Sequence, residues 1–358
     1  MKVAFISLGC AKNLVNTEQM MALCRDAGYT LLEAPAGADA VVINTCGFID
    51  SAKEEAIDTI LSVAALKAEG QVGKILVTGC LTQRYQQEIL DELPEVDGIM
   101  GTGSYGEIVP ALSEMMAGGT PRRFADIHGM IDEFDRVLTT PGHYAYLRIA
   151  EGCDNRCAYC VIPRARGPVR SRSEESILAE LRQLAASGYR EVVLSAISLP
   201  SYGLDTGTNL VELVEKCARV EGIERIRLGS LDLDMLTPEY ITRLAAVDKL
   251  CPQYHLSLQS GCSATLRRMR RVYTAEQYAQ VVDQIRAAYG ERPVSFTTDC
   301  ICGFPGETEE DFRESCAFLK EIGFLKVHVF PYSRRSGTPA YDFPDQVHAV
   351  SYTHLRAH

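Results

Sequence analysis

The sequence predicts an α/β protein in two parts: an N-terminal parallel α/β domain, followed by an open barrel of six βα units, a partial TIM barrel. Short apolar strands alternate with amphipathic helical stretches along the chain, which is typical of parallel α/β layers. With 358 residues, of which 46% are hydrophobic, the chain can bury more than one core. No apolar run is long enough to span a bilayer.

The N-terminal domain is predicted to occupy residues 1–117. Its strands are expected at 2–8, 40–44, 74–78 and 98–100, and its helices at 17–27, 51–67, 85–93 and 105–117. A polar stretch rich in Gly, Asp and Pro follows at 118–142, and this composition predicts a linker.

The barrel is predicted to occupy residues 143–347. Its strands are expected at 144–150, 191–196, 225–230, 254–259, 295–302 and 326–332. The predicted helices are 173–187, 210–220, 238–247, 264–269, 275–289 and 307–322. Ligands of such barrels collect at the carboxyl ends of the strands, so functional residues are expected there.

The chain contains thirteen cysteines. An odd count in a long chain, together with a strand-like N-terminus in place of a cleavable signal, argues against a secreted disulfide scaffold. A cytoplasmic location without a membrane partner is therefore expected. In that compartment, clustered cysteines more often serve metal or redox chemistry.

The net charge of −11 is distributed unevenly. Residues 1–144 contain 10 Lys and Arg against 20 Asp and Glu, whereas residues 145–358 contain 26 against 27. The second part can therefore still bind nucleic acid. It has two basic clusters, interpreted as solvated faces with phosphate contact as the alternative: Arg164, Arg166, Arg170 and Arg172, and Arg267, Arg268, Arg270 and Arg271.

Three cysteines lie just after the first predicted barrel strand, at Cys153, Cys157 and Cys160. Three thiolates from one loop can converge on an iron–sulfur cluster, and this set leaves one iron without a protein thiolate. An open iron suits a cluster that binds and reduces a small molecule. The alternatives are a zinc knuckle that lacks its fourth ligand, or three unrelated core cysteines.

A second trio follows the predicted strands of the N-terminal domain, at Cys10, Cys46 and Cys80. Adjacent parallel strands lie about 4.8 Å apart, and ligands of open α/β sheets bind outside the carboxyl ends. These cysteines can therefore form a tripod for another cluster, with ordinary buried cysteines as the alternative. The others are interpreted as core or incidental residues: Cys24, Cys217, Cys251, Cys262, Cys300, Cys302 and Cys316.

The loop around Cys157, with Tyr159 before its third cysteine, resembles the signature of the radical S-adenosylmethionine (SAM) superfamily. This resemblance implies that Cys153, Cys157 and Cys160 are catalytic: they would hold the cluster that binds SAM and splits it reductively into methionine and a deoxyadenosyl radical. The turn at 303–308 is similar to the glycine-rich turn of that superfamily that helps seat SAM. The expected cofactor contacts are Tyr159, Gln259, Ser260, Gly303 and Gly306. For Gln259 and Ser260, a purely structural role is the alternative.

Two three-cysteine sets in this order resemble the methylthiotransferase family, from residue 1 to about 347. The resemblance implies two 4Fe-4S clusters, SAM, and an electron donor such as a flavodoxin or ferredoxin. It also implies that the cluster on Cys10, Cys46 and Cys80 supplies the sulfur of a methylthio group, which is inserted at an unactivated C–H bond. The alternatives are a non-catalytic iron–sulfur electron carrier and a different radical SAM enzyme.

Within the family, the two parts of the chain resemble different branches. Residues 1 to about 155 resemble the RimO branch, which modifies an aspartate of a small-subunit ribosomal protein. The segments that carry this resemblance are 8–18, 44–55 and 93–97. Residues from about 160 to 347 resemble the MtaB branch, which modifies threonylcarbamoyl-adenosine beside the tRNA anticodon. The segments that carry this resemblance are 225–231, 255–261 and 329–334. Because the target must meet the radical inside the barrel, tRNA is the expected substrate and the ribosomal protein is the alternative.

Members of the family usually continue into a small basic β-barrel, the TRAM domain. Here the resemblance stops near residue 347, so the TRAM domain is expected to be missing. Residues 348–358 are interpreted as a non-native tail. A natural recombinant and a misassembled, truncated gene are the two explanations for this composite chain.

Overall fold

A computed structural model describes residues 1–131, 133 and 135–347. The tail predicted at 348–358 lies outside the described residues. The chain divides into two compact units: the first contains residues 1–140 and 162–168, and the second contains residues 141–161 and the chain from 169 onward. None of the helices in the described part has the length and apolar content that a membrane crossing requires.

The first unit has six strands and six α-helices within its described residues. The strands are β1 (Lys2–Ser7), β2 (Thr30–Leu32), β3 (Ala38–Thr45), β4 (Val72–Gly79), β5 (Gly98–Met100) and β6 (Arg122–Arg123). The helices are α1 (Ala11–Asp26), α2 (Asp50–Ala68), α3 (Cys80–Tyr85), α4 (Gln87–Glu92), α5 (Ile108–Met116) and α6 (Ile162–Arg166).

The six strands form one parallel sheet in the order β2-β1-β3-β4-β5-β6. Its central strands are continuous apolar runs because helices cover both faces. Helix α2 packs against one face through Ala56, Ile60 and Val63. Helices α1 and α5 pack against the other. The strand order reverses between β1 and β3, which is where ligands of doubly wound sheets bind.

The predicted parallel α/β domain is confirmed, with local differences. Strands β2 and β6 were not predicted because they have three and two residues, too few for a periodic signal. Helix α1 begins at Ala11 and not at residue 17 as predicted. The predicted start was late because the first turns bury polar residues such as Asn13 and Asn16, which hide the apolar periodicity. The helix predicted at 85–93 is interrupted at Gln86, whose φ is 38°.

The second unit contains nine strands and six α-helices among its described residues. The strands are β7 (Tyr144–Arg148), β8 (Ala150–Glu151), β9 (Arg170–Ser171), β10 (Glu191–Ser195), β11 (Arg225–Leu228), β12 (Ser230–Leu231), β13 (Gln253–Leu256), β14 (Ser295–Cys302) and β15 (Lys326–Pro331). The helices are α7 (Glu174–Ala186), α8 (Leu210–Ala218), α9 (Pro238–Ala245), α10 (Ser263–Arg268), α11 (Ala275–Tyr289) and α12 (Glu309–Ile322).

Seven of these strands form the predicted open barrel, and β8 and β9 pair antiparallel in a separate two-stranded sheet. Parallel pairing joins β7, β10 and β11, and then β12, β13, β14 and β15. The third predicted strand is broken into β11 and β12 at Gly229, where a Cβ would lie 3.1 Å from the Leu194 carbonyl oxygen. Within the described residues, β7 pairs only with β10 and β15 only with β14, so the barrel is not closed.

Side-chain caps determine where five barrel helices begin. The N-cap side chain accepts a hydrogen bond from the first turn at Ser173, Asn209, Thr237, Thr274 and Thr308. Thr274 follows α10, but the other four caps each end a loop that leaves a strand, and they limit the length of those strand-end loops.

Candidate functional site

Cys10, Cys46 and Cys80 lie at the carboxyl ends of three neighbouring strands. Cys10 comes three residues after β1, Cys46 follows β3, and Cys80 is the first residue of α3 directly after β4. The strand ends are level because Asn44 of β3 is in register with Ser7 of β1 and Thr78 of β4. The sheet therefore brings this trio to one edge.

Glycines beside the three cysteines allow the strand-end loops to touch. A Cβ on Gly9 would lie 2.6 Å from the Cys46 Cβ, and a Cβ on Gly79 would lie 2.4 Å from the Thr45 carbonyl oxygen. A Cβ on Gly47 would lie 2.9 Å from the Cα of Leu81. No side chain fits at these positions without displacement of the backbone beside it. The close approach of the loops therefore requires glycine.

Two buried asparagines hold the same loops together. The Asn13 amide donates to the carbonyl oxygens of Leu8 (2.9 Å) and Thr45 (3.1 Å). The Asn44 amide donates to the Asn13 carbonyl oxygen (2.9 Å) and to the Thr17 hydroxyl (3.0 Å). Neither asparagine was identified as a site residue from the sequence. The available signal was a polar pair at Asn13 and Asn16 where a buried helix would carry apolar residues.

Arg166 of α6 points its guanidinium into this site. Its side chain is buried, with only 2% of the residue exposed. Its Nε lies 3.4 Å from the Cys80 Sγ, and its Nη2 donates to the Asn13 Oδ1 at 2.5 Å. The interpretation of the first basic cluster as a solvated face is therefore wrong at Arg166. It is also wrong at Arg172, which is buried and pairs with Glu180 at 2.6 Å. Both guanidiniums can be buried because acceptors surround them.

The surroundings of this trio shift the pKa values of two of its thiols in opposite directions. Burial raises the pKa of Cys46 to about 11, and the neighbouring Cys80 adds to the rise. Burial also acts against ionisation of Cys10, but Lys12, Arg166 and the backbone N–H of Asn13 outweigh it and lower the pKa of Cys10. Positive charge near the trio favours the thiolate, which is the form that ligates metals.

Cys153, Cys157 and Cys160 lie on the loop between β8 and α6. This loop is hydrogen-bonded at its centre to other parts of the second unit. The Ala158 N–H donates to the Met269 carbonyl oxygen, and the Ala340 N–H donates to the Ala158 carbonyl oxygen, both at 2.9 Å. Arg335 donates to the Tyr159 carbonyl oxygen at 2.5 Å. The loop therefore has a fixed conformation. Burial raises the pKa of Cys153 to about 11.

Arg271 contacts the middle cysteine of this loop. Its Nη1 lies 3.1 Å from the Cys157 Sγ, and its guanidinium lies over the Tyr273 ring, 4.8 Å from the centroid. Its Nη2 pairs with the Asp232 Oδ1 at 2.5 Å, and 7% of its side chain is exposed. The interpretation of the second basic cluster as a solvated face is therefore wrong at Arg271, because the partly buried Asp232 carboxylate compensates its charge.

The Tyr159 ring packs the cysteine loop against the glycine-rich turn. Only 5% of Tyr159 is exposed, and its ring meets the Phe304 ring edge-on with centroids 6.4 Å apart. Phe304 also packs against Tyr332, with centroids 5.3 Å apart. Burial raises the pKa of Tyr159. The tyrosine thus has a packing role, and its contact with SAM stays a prediction.

The turn after β14 uses two glycines in the left-handed region. Gly303 and Gly306 each have a φ of 75°, which other residues adopt only with strain. The Gly303 N–H donates to the Glu307 carboxylate. Burial raises the pKa of Glu307 to about 7, although the N–H groups of Gly303 and Phe304 oppose the rise. The turn is therefore preformed, as the prediction of a SAM seat requires.

Gln259 and Ser260 differ in how their polar groups are used. Gln259 has a φ of 75°, and two main-chain hydrogen bonds hold it, to Asp299 (2.9 Å) and Ile301 (2.8 Å). A strained non-glycine residue at a strand end is a common feature of functional sites. Ser260 is fully buried, and its hydroxyl lies 2.9 Å from that of Ser315 on α12. Contact of either residue with SAM stays a prediction.

Neither cysteine trio has the spacing that a single metal ion requires. Sulfurs on one tetrahedral zinc lie about 3.8 Å apart, because each Zn–S bond is about 2.3 Å long. In the part of the chain that the structure describes, the one group of metal-ligand types with all donor atoms within 4.8 Å is Cys262, Asp311 and Glu314. Neither trio has all three sulfurs that close together, so neither matches the spacing of a lone zinc ion, and cluster binding stays a prediction. In the other group, Asp311 is already paired with Arg268 at 2.6 Å.

Comparison with known protein families identifies both units. Residues 2–101 match the uncharacterized protein family UPF0004, and residues 147–319 match the radical SAM superfamily. The chain is similar to solved structures of two radical SAM proteins that were solved with cobalamin bound. TsrM from Kitasatospora setae has a TM-score of 0.67 and 13% identity, with 95% of this chain and 76% of that chain covered. OxsB has a TM-score of 0.60 and 15% identity, with 95% and 54% covered. At these identities the likeness shows the fold alone.

Curated relatives match at higher identity. The ribosomal protein uS12 methylthiotransferase RimO of Desulforamulus reducens is 41% identical over 97% of this chain and 78% of the relative. The proteins of the same name from Geobacter sulfurreducens and Clostridioides difficile are 42% and 39% identical, with the same shares covered. The chain therefore belongs to the methylthiotransferase family of radical SAM enzymes, whose members use SAM and two 4Fe-4S clusters.

Proposed function

We propose that this methylthiotransferase modifies ribosomal protein uS12. The observation that supports this substrate is the extent of the similarity: relatives named for uS12 match 97% of the chain, barrel included. The sequence alone favoured tRNA because the barrel resembles the tRNA-modifying branch. The comparisons favour the alternative, and the resemblance to the RimO branch implies that the modified residue is an aspartate.

The two cysteine trios are proposed to hold the two clusters. Cys153, Cys157 and Cys160 would ligate one cluster in the barrel unit, and Cys10, Cys46 and Cys80 would ligate the other in the N-terminal unit. When bound, the first cluster and SAM supply the radical that removes a hydrogen atom, and the second supplies the sulfur. This chemistry suits an unactivated C–H bond because a base cannot usefully remove such a proton.

Residues around Cys157 are proposed to keep the first site ordered and dry. Arg271 holds the Cys157 sulfur at 3.1 Å while its charge is compensated by Asp232. The packed rings of Tyr159, Phe304 and Tyr332 exclude water from one side of the loop. The turn at Gly303 and Gly306 provides backbone next to this packing, where SAM is expected to bind.

The interior of the barrel is proposed to accept the substrate. Tyr254 of β13 faces α11, where its hydroxyl lies 3.0 Å from that of Tyr289, so the alternate residues of β13 face the interior. There the His255 Nε2 lies 3.4 Å from the Asp299 Oδ2, and the His255 ring lies 6.1 Å from that of His328. These partly exposed polar groups can hydrogen-bond a peptide segment.

The substrate can be identified by offering both candidates to the anaerobically reconstituted protein with SAM and a reductant. Small ribosomal subunits and bulk tRNA would be incubated separately and analysed by mass spectrometry. We expect one methylthio group on a uS12 aspartate and none on tRNA. The Cys157→Ala variant should give no product with either substrate. Methylthio groups on threonylcarbamoyl-adenosine alone would overturn the proposed substrate.

The electron donor can be tested in the same assay. Flavodoxin and ferredoxin would each replace the chemical reductant, and we expect at least one of them to support product formation. Deoxyadenosine would be measured in parallel. If none forms from SAM with any reductant, the protein is better described as a non-catalytic iron–sulfur carrier.

A further inference from the structure

His328 of β15 lies on the inward face of the barrel with its ring nitrogens unused. It is in register with Asp299 of β14, and residues paired in register on neighbouring parallel strands face the same side of a sheet. Its ring lies 6.1 Å from that of His255 on β13, and the residue is partly exposed. Among the residues that the structure describes, no side-chain hydrogen bond or ion pair involves this ring. The imidazole of His328 can therefore bind a ligand in the interior.

The neighbours of His328 are already hydrogen-bonded to one another. We call His255, Thr297, Asp299 and His328 the interior layer. The His255 Nδ1 lies 3.0 Å from the Thr297 Oγ1, and its Nε2 lies 3.4 Å from the Asp299 Oδ2. The Thr297 hydroxyl also accepts from the Gln253 amide at 3.1 Å. Because both nitrogens of His255 have partners, His255 serves to fix the layer, and His328 is its free imidazole.

The interior layer lies below the strand ends where SAM is expected to bind. The Gln259 N–H donates to the Asp299 carbonyl oxygen at 2.9 Å, so the layer is joined directly to one of the expected cofactor contacts. Gly303 follows Asp299 by four residues, which corresponds to about 13 Å along a strand that rises about 3.3 Å per residue. A target side chain that enters the interior to meet a radical at the SAM seat therefore lies between that seat and His328.

The groups of the interior layer differ in what they can offer to an acidic target. The Asp299 carboxylate accepts hydrogen bonds only, and it repels a second carboxylate. The N–H of His328 is the donor that remains free. Lys326 alternates with His328 on β15 and is exposed, so it adds positive charge to the same face. A carboxylate in this part of the interior is therefore accommodated best at His328.

We propose that His328 is a specificity residue that donates a hydrogen bond to the carboxylate of the target aspartate inside the barrel. This inference rests on the proposed function, which supplies aspartate as the target. Asparagine has the same shape as aspartate but no charge, and a hydrogen bond to an ionised acceptor is about twice as strong as one between neutral groups. The contact therefore selects aspartate over asparagine. His328 acts on the choice of substrate and takes no part in SAM cleavage.

The test is a competition between two preparations of small ribosomal subunits, one with native uS12 and one with the modified aspartate replaced by asparagine. The reconstituted full chain and its His328→Leu, His328→Gln and His128→Leu variants would each receive both in equal amounts. Mass spectrometry would give the ratio of the two methylthiolated products, which reports relative kcat/KM. This ratio does not depend on how much of the enzyme is folded or loaded. His128 is the control because 68% of its side chain is exposed in the N-terminal unit.

We expect the parent and His128→Leu to prefer aspartate by about tenfold or more. His328→Leu should bring the ratio close to one, because leucine fills the space but donates nothing. His328→Gln should retain part of the preference, because its amide N–H reaches about as far as the ring Nε2. Deoxyadenosine formed without substrate should be equal in all four proteins. A preference in His328→Leu as strong as in the parent, or no preference in the parent, would overturn the inference.

Two further outcomes are decided in advance. If His328→Leu does not fold, His328→Asn takes its place, since its amide is too short to reach the Nε2 position. Loss of preference in His328→Asn but not in His328→Gln supports the inference, and an unchanged preference in both overturns it. Product on tRNA with none on either form of uS12 overturns the proposed function together with this inference, whereas uS12 product with an unmoved ratio overturns this inference alone.

Discussion

The Arg271 guanidinium joins the Cys157 sulfur, 3.1 Å from its Nη1, to the Asp232 carboxylate, 2.5 Å from its Nη2. Asp232 also accepts from the Asn155 amide at 3.1 Å, on the same loop as Cys157. The cysteine loop is thus attached at two points to one partly buried ion pair. The position of the middle cysteine therefore depends on residues about 75–115 positions further along the chain.

Replacing Arg271 with Gln should destabilise the fold and weaken SAM cleavage. The change leaves the partly buried Asp232 carboxylate without its cation, and breaking a fully buried pair costs about 3–5 kcal/mol, which is the upper bound here. Arg267→Gln, at an exposed position of α10, should change stability by less than about 0.5 kcal/mol. Denaturant unfolding and deoxyadenosine release would be measured for both variants. Similar values for the two would show that the ion pair does not hold the loop.

Replacing Cys157 with Ala should abolish deoxyadenosine formation from SAM. The proposed radical-generating site has no fourth protein thiolate, so loss of one of three ligands should prevent stable binding of its cluster. The triple variant Cys10→Ala, Cys46→Ala, Cys80→Ala should still cleave SAM, because its barrel site is intact. Deoxyadenosine released at the normal rate by the Cys157→Ala protein would contradict this assignment.

Iron content should divide equally between the two cysteine trios. Two cubane clusters give about eight irons per reconstituted chain, since each contains four. Either triple Cys→Ala variant should retain about half of the iron. The measurement is colorimetric iron and sulfide quantitation on gel-filtered protein. Full iron content in the Cys10, Cys46, Cys80 variant would place the second cluster elsewhere.

The sequence predicted the cysteine positions well because local signals specify them. Cys46 and Cys80 directly follow strands whose apolar runs are evident, and the three barrel cysteines lie on one short loop. Parallel strands end at a common edge, so strand assignments alone place such residues together. The order of β1, β3 and β4 in the sheet then makes the three N-terminal cysteines neighbours.

The residues around the cysteines were not predictable in the same way. Arg166 donates a hydrogen bond to the Asn13 side chain although 153 positions separate the two residues, and no local pattern encodes that pairing. Arg164 and Arg166 looked equivalent within one basic cluster. They differ because two residues along a helix differ by about 200° in direction, so one is exposed when the other is buried.

Replacing Gly79 with Ala should destabilise the N-terminal unit strongly. Gly79 has a φ of 103°, and an added Cβ would lie 2.4 Å from the Thr45 carbonyl oxygen, so backbone must move beside Cys46 and Cys80. Gly70→Ala is the control, because Gly70 has a φ of 74° with no atom within 4 Å of the added Cβ. The Gly70→Ala variant should lose only about 1–2 kcal/mol of stability, from the strain of alanine in the left-handed region. Denaturant unfolding would compare the two, and an equal loss would show that the close contact costs nothing.

Glu307 should make folding stability fall as the pH rises. Burial raises the pKa of its carboxyl from the usual 4.5 to about 7, against the opposing effects of the Gly303 and Phe304 N–H groups. Between these two values the folded state holds a proton that the unfolded chain has released. Its stabilising contribution is therefore complete below about pH 4.5 and is lost as the pH rises through about 7. The loss is at most about 3.5 kcal/mol, from about 1.4 kcal/mol for each pKa unit. Glu307→Gln cannot ionise, so the unfolding free energy of this variant should lack that slope. Glu310→Gln, at an exposed position of α12, should keep it. The measurement is denaturant unfolding of all three proteins at matched metal content from pH 5 to 8, and a slope unchanged by Glu307→Gln would assign the pH dependence to other groups.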